Sequence, residues 1–324
     1  MIAPKSSLLA ALLLCGCGLG RLAGGQLELI NGQLRLDRAI ARERDPERRM
    51  LLAEVPSIRR FAAESIGLFP GKSYTGYFET EQKGLTYVVT ACERLRLEPY
   101  AWWFPVAGRV EYRSYWDEED AVEEARDLEA QGYDTWISPS RAYSTLGIFR
   151  DPVITTMLRD GLPALVDVLI HELAHARLYV PGHTDWNEAL ASFVGERGAE
   201  LYFSSARWRG TPFPEQVKAR AQRKVTFDSL VAEAGSRLEK LYASSIADRD
   251  KLRQREQIFV QLQAAITGLF PAEEPDAWRM NNARIVHSLR YSANAGELEQ
   301  LWRNSAGNFR RFWSLAEEYS KTLD

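Results

Sequence analysis

Two histidines four positions apart, in His171-Glu172-Leu173-Ala174-His175, carry the clearest chemistry in this 324-residue chain. On a helix, side chains four positions apart leave one face a turn from each other, so both imidazoles can reach a single cation. Glu172 points to the side of that pair, where it can take a proton from water without ligating the metal. The pattern is the signature of zinc metallopeptidases, and the chain has only four histidines from which to produce it by coincidence. A catalytic zinc takes three protein ligands and keeps a position open. Glu188, thirteen positions after His175, completes a His2Glu set at a spacing that fits a helix end, a turn at Pro181-Gly182 and an antiparallel return. His183 is the rival third ligand. It sits in the turn, and the metzincin spacing would put a histidine where Pro181 stands.

Hydrolysis of an amide also needs a donor for the developing oxyanion. Tyr143, Tyr179 and Tyr291 are the candidates, and Tyr143–Gly147 reads either as an edge strand able to pair with an extended peptide or as an ordinary strand. Asp167, Glu196 and Glu200 are candidates for orienting the ligands, or are simply solvated. The bland reading is a chance pair of histidines on a core helix. A site that only bound zinc would have no use for Glu172, which favours a hydrolase over a non-catalytic metal-binding scaffold.

Two helices must position these groups. Leu162, Leu165, Val166, Leu169 and Leu173 recur at helical spacing, with Pro163 able to open the first turn. Thr184 or Asp185 can cap a second helix through Val194. Upstream, 26–68 reads as helical with a charge-rich stretch at 38–49, interrupted by Pro70-Gly71. Thr86–Cys92, Leu97–Phe104, Arg109–Tyr115 and Asp134–Ile137 read as strands around a helix Glu118–Gln131 with Asp117 as N-cap. From Asp160 the pattern is helical again, including a long stretch Pro214–Leu269. The expected class is α+β, with a mixed β-sheet region at about 26–160 and a mostly helical part at about 161–324.

Lys plus Arg number 41 against 44 Asp plus Glu, without a basic block, so nucleic acid is not an expected partner. Three cysteines exclude a disulfide framework and a four-cysteine zinc site. Lys5, the apolar run Leu8–Leu14 and Leu14-Cys15-Gly16-Cys17 form a short targeting segment that looks like a bacterial lipobox. Cleavage before Cys17 would leave a single mature unit, 17–324, with diacylglycerol on that thiol and a lipid anchor in the membrane. Gly18 after it points to the periplasmic face of the outer membrane. Cys92 is then expected to be a small buried hydrophobe.

The segment His171–Glu188, with Arg177-Leu178-Tyr179-Val180 and Asn187-Glu188, resembles a bacterial family of zinc aminopeptidases, a branch of the glutamate-zincins. Trp103-Phe104-Pro105-Val106, Tyr112-Arg113-x-Tyr115, Ala142–Gly147 with Asp151-Pro152, and Asn281-Asn282-Ala283-Arg284 extend the likeness over nearly the whole mature chain. The resemblance implies a zincin-like metallopeptidase, one zinc ion held by His171, His175 and Glu188, Glu172 as general base, and a peptide substrate. Gly182-His183-Thr184 stands where a Gly-Asp-Thr turn is expected, and Ala176 where a polar residue is common. Both touch the rim of the site. A zinc endopeptidase or amide hydrolase acting on cell-envelope peptides is the alternative, since no residue specifies a free amino terminus; nor does any specify an oligomeric state.

Overall fold

The computed structural model describes residues 25, 28–29, 31–104, 108–140, 142, 145, 150–271 and 278–323, with the side chains of 104 and 108 left aside. The lipobox with Cys17, and Tyr143 with most of its expected edge strand, lie outside these residues.

The chain opens on β1 (Leu34–Arg35), α1 (Leu36–Arg42) and α2 (Pro46–Phe61), the last extended by a π-turn over Ala62–Ile66. The charge-rich stretch 38–49 covers the end of α1, the break at 43–45 and the first turn of α2. Asp45 caps the second, its carboxylate accepting from the N–H groups of Glu47 (2.8 Å) and Arg48 (3.0 Å), while Pro46 supplies a first residue that needs no partner. Next come β2 (Gly76–Phe78), β3 (Tyr87–Glu93), β4 (Trp102–Phe104), β5 (Gly108–Val110), β6 (Arg113–Tyr115), α3 (Glu118–Ala130), β7 (Tyr133–Pro139) and β8 (Val153–Ile154). The rest is helical: α4 (Gly161–Arg177), α5 (Thr184–Phe203), α6 (Phe213–Ala243), α7 (Asp248–Leu269), α8 (Asn282–Ser292), α9 (Ala295–Asn304) and α10 (Phe309–Ser320).

Among the described residues the strands fall into three small sheets, ordered β1-β2-β8, β6-β3-β7 and β4-β5, and only the β2–β8 pair is parallel. Several expected strands are cut short. The Leu97–Phe104 strand is reduced to Trp102–Phe104, with a lone bridge from Pro99 to Cys92, because a proline cannot donate to a ladder. Arg109–Tyr115 is split between two sheets. The Pro214–Leu269 stretch bends at 244–247 into the α6–α7 pair, and Asp117 sits at the α3 N-cap without a side-chain bond.

Three apolar clusters organise the packing. The main one gathers α4, α5, α2 and α10, and on α4 it buries Leu162, Leu165, Val166, Leu169 and Leu173, the face that the spacing marks out. A second lies among α6, α7 and α8, and a third between α3 and the β3 sheet. A buried polar knot joins the last two. Arg255 of α7 donates to Asp134 of β7 (2.9 Å), whose other oxygen accepts from the Asn282 N–H (3.1 Å), while the Asn282 amide donates to the Glu93 carbonyl (2.7 Å). Breaking one partner of such a pair would strand a buried charge, so the knot fixes α8 against the sheet. The thiol of Cys92 is buried beneath it, and burial pushes its pKa up to about 12. Among the described residues no helix is long and apolar enough to cross a membrane.

Candidate metal centre and active site

The centre is built on the α4–α5 hairpin. Helix α4 ends where the Leu178 N–H reaches the Ala174 carbonyl, and the chain turns through Gly182, whose φ of 85° suits a residue without Cβ. Asn187 then locks the turn by accepting from the Val180 N–H and donating to the Val180 carbonyl, each at 2.8 Å. The N-cap of α5 is His183, which makes no side-chain cap bond, so the expected capping by Thr184 or Asp185 is not what starts this helix. Backbone and the Asn187 clamp carry that role.

Two glycines let the helices meet closely. A Cβ on Gly195 would lie 2.6 Å from the Asp167 carboxylate, 2.9 Å from its carbonyl and 3.3 Å from the Cβ of His171. One on Gly198 would lie 2.8 Å from both Ile170 and Ile66. This absence of side chains brings Glu188 within reach of the two histidines across the hairpin.

The Nε2 atoms of His171 and His175 are 3.1 Å apart, and Glu188 Oε2 lies 3.6 Å from the first and 3.8 Å from the second. Ligands held at about 2.0–2.1 Å around a tetrahedral ion are separated by roughly 3.3 Å, so these three donors could hold one zinc-sized ion. His183 does not join them: among the described residues the cluster is His171, His175 and Glu188. The other nitrogen of His171 lies 3.4 Å from Ser192 Oγ, a neighbour one turn beyond Glu188 on α5. Asp167 instead pairs with Arg220 (3.2 Å), Glu196 with Lys224 (3.3 Å) and Glu200 with Arg197 (3.0 Å), so these acids are spent on other partners.

The electrostatics separate the roles of the two glutamates. Burial pushes Glu172 up to about 7, opposed by His171 and reinforced by the charges of Glu188 and Asp151. Burial works in the same direction on Glu188, but its hydrogen bond to His171 and the charges of His175, His171 and Arg290 overcome it and hold the carboxylate down at about 2. One is a carboxyl poised to exchange a proton near neutrality, the other a standing anion beside two imidazoles.

Helix α8 supplies the opposite wall. Arg290, 5% exposed, donates to Asp185 (3.2 Å) and Glu111 (3.4 Å) and lies over the Tyr112 ring. Asp185 stands one turn before Glu188, so this bridge docks α8 beside that carboxylate. Tyr291 follows, its ring 5.5 Å from that of His287. Burial raises the Tyr291 hydroxyl pKa, and the Glu188 charge adds to it; Tyr179, 41% exposed, is raised by the same two causes. Burial and Arg290 lower His287 to about 4, which keeps its ring neutral. Near enough to Glu172 to feel its charge, the Tyr74 hydroxyl is buried with no hydrogen-bond partner among the described residues, and Tyr74 adopts φ 59°.

The family model described as "Putative aminopeptidase" matches residues 19–323. The chain belongs to this aminopeptidase family. No curated protein and no solved structure matches it. Membership assigns the chain to a peptidase family, with peptide as the substrate class. In this aminopeptidase, sequence reasoning missed Ser192, His287, Arg290 and Tyr74. Ser192 had a usable signal in its i+4 spacing from Glu188. The other three come from segments far along the chain and carried none.

Proposed function

We propose that the chain is a zincin-like, zinc-dependent aminopeptidase, anchored by a lipid on Cys17 at the periplasmic face of the outer membrane. The observation that carries the reading is the convergence of His171, His175 and Glu188 on one point with Glu172 beside them. The donor set of two imidazoles and one carboxylate suits zinc, and when bound the ion polarises the scissile carbonyl and lowers the pKa of water.

The chain's own residues do the rest. Glu172, poised near neutrality by burial, takes a proton from the attacking water and returns it to the leaving amine. Tyr291 is the favoured donor to the oxyanion. It keeps its proton in this environment, and the Asp185–Arg290 bridge holds its helix beside the ligand helix. Tyr179, more exposed and at the end of α4, and Tyr143 are the remaining candidates.

The test is a panel of peptides with free or acetylated amino termini, offered to the full chain with zinc content measured alongside. Cleavage only of free termini, with about one zinc per chain, is the expected result. Cleavage of blocked peptides would overturn the aminopeptidase reading in favour of an endopeptidase or cell-envelope amide hydrolase. Bound zinc without any turnover would leave a scaffold.

A further inference from the structure

A cavity of about 420 Å3 opens where α1, α2, the 71–75 segment and Arg150 meet; its lining includes Tyr74 but none of the proposed metal ligands. Leu36, Ile40 and Pro56 line it on the apolar side, while Arg35, Arg59 and Arg150 supply its cationic side. The charges are unevenly satisfied. Arg35 is neutralised by Asp37 through contacts of 3.1 and 2.8 Å. Arg59 is partly buried yet donates only to neutral carbonyls, those of Ser73 (2.8 Å) and Gly71 (2.9 Å). Burial lowers its pKa, the mark of a guanidinium without a counter-charge. Arg150 makes no side-chain hydrogen bond or ion pair among the described residues.

Removing a cation from water without an anion beside it is costly, and a partly buried guanidinium is ordinarily matched by a carboxylate or by a bound anion. Asp37, the one carboxylate in the lining, is taken up by Arg35, and Arg59 meets only carbonyl oxygens among the described residues, so a bound anion would supply its match. Two uncompensated guanidinium groups suit a phosphate better than a carboxylate, because a phosphate ester can carry up to two negative charges and accept paired N–H donors. The apolar side gives room for the carbon skeleton of such an ester. We propose that this cavity binds a phosphate ester, either free or as the headgroup of a phospholipid.

The test uses the full chain and its Arg150→Glu variant. Arg150 is exposed and holds no other group in place, so the fold and the peptidase activity should be unchanged, as thermal unfolding and turnover will report. Glycerol 3-phosphate is titrated by calorimetry, and flotation is measured with phosphatidylcholine vesicles with and without phosphatidylglycerol. Reversing one of two unpaired charges should weaken binding by about tenfold or more, and raising the salt should weaken it in the wild type. Comparison with the variant cancels any contribution of the N-terminal segment to flotation. Binding of glycerol 3-phosphate alone identifies a free ester, and charge-dependent flotation identifies a lipid headgroup. The proposal fails if neither probe binds, or if R150E binds as the wild type does. Should R150E unfold, Arg150→Gln replaces it with the same criteria.

Discussion

The side chain of Asn187 grips the backbone of Val180 at both polar atoms, 2.8 Å to the N–H and 2.8 Å to the carbonyl. One residue after the clamp comes Glu188, and two residues before Val180 the helix that carries both histidines has just ended. The amide thus converts a turn of irregular backbone into a fixed offset between ligands on two helices. Asn187→Ala should cost about 2 kcal/mol, since it strands buried backbone groups, and should also lower zinc occupancy. Denaturant unfolding with and without chelator separates the two effects. An unchanged metal affinity would mean that the clamp serves stability alone.

Gly195→Ala places a methyl group against the Asp167 carbonyl at 2.9 Å, backbone that cannot swing aside. The helices must part, so a loss of about 1–3 kcal/mol is expected together with weaker metal binding, because His171 Cβ is a neighbour of the same methyl. A variant as stable as the wild type would show that the hairpin breathes more than this packing allows.

Glu172→Gln removes a base and leaves every proposed ligand. Zinc content should stay near that of the wild type while turnover falls by about two orders of magnitude or more. Retained turnover would strip Glu172 of its role.

Glu188→Ala should instead empty the site, and His183→Ala should not. Metal analysis of the two purified variants is the measurement. The reverse outcome would transfer the third position to the turn.

Asp151 predicts a pH dependence of stability. Its carboxyl is pushed from 3.8 up to about 6 by burial, against hydrogen bonds from Thr145 and Ser73 that favour the anion. The folded state therefore holds this proton more tightly than the unfolded chain. Its contribution is complete below about pH 4 and is lost as pH rises through 6, a span worth about 3 kcal/mol. Asp151→Asn should flatten that decline in denaturant unfolding compared at the two ends of the range, whereas parallel curves for variant and wild type would refute the assignment.

What could be read in advance follows the distance over which information travels. The α4 face was legible because a 3.6-residue period is local, and the three donors because one hairpin holds them within eighteen residues. Strand limits were poorly legible around Pro99 and Gly108, where ladder pairing is decided by partners far along the chain. Arg290 and His287 could not be found because they reach the site from about a hundred residues downstream, held there by the Asp185–Arg290 bridge and by the Arg255–Asp134–Asn282 knot, which sets α8 against β3 and β7. Nothing in an α8 sequence read alone marks the His171–His175–Glu188 cluster as its neighbour.

That same knot divides the centre by origin. His171, His175 and Glu188 share one helical hairpin, whose closure needs only a short loop, while α8 comes from about a hundred residues downstream and packs within the second cluster. Short loops close sooner than long ones. On the proposed reading, a chain emerging residue by residue carries all three candidate ligands well before α8, so metal capture would precede activity.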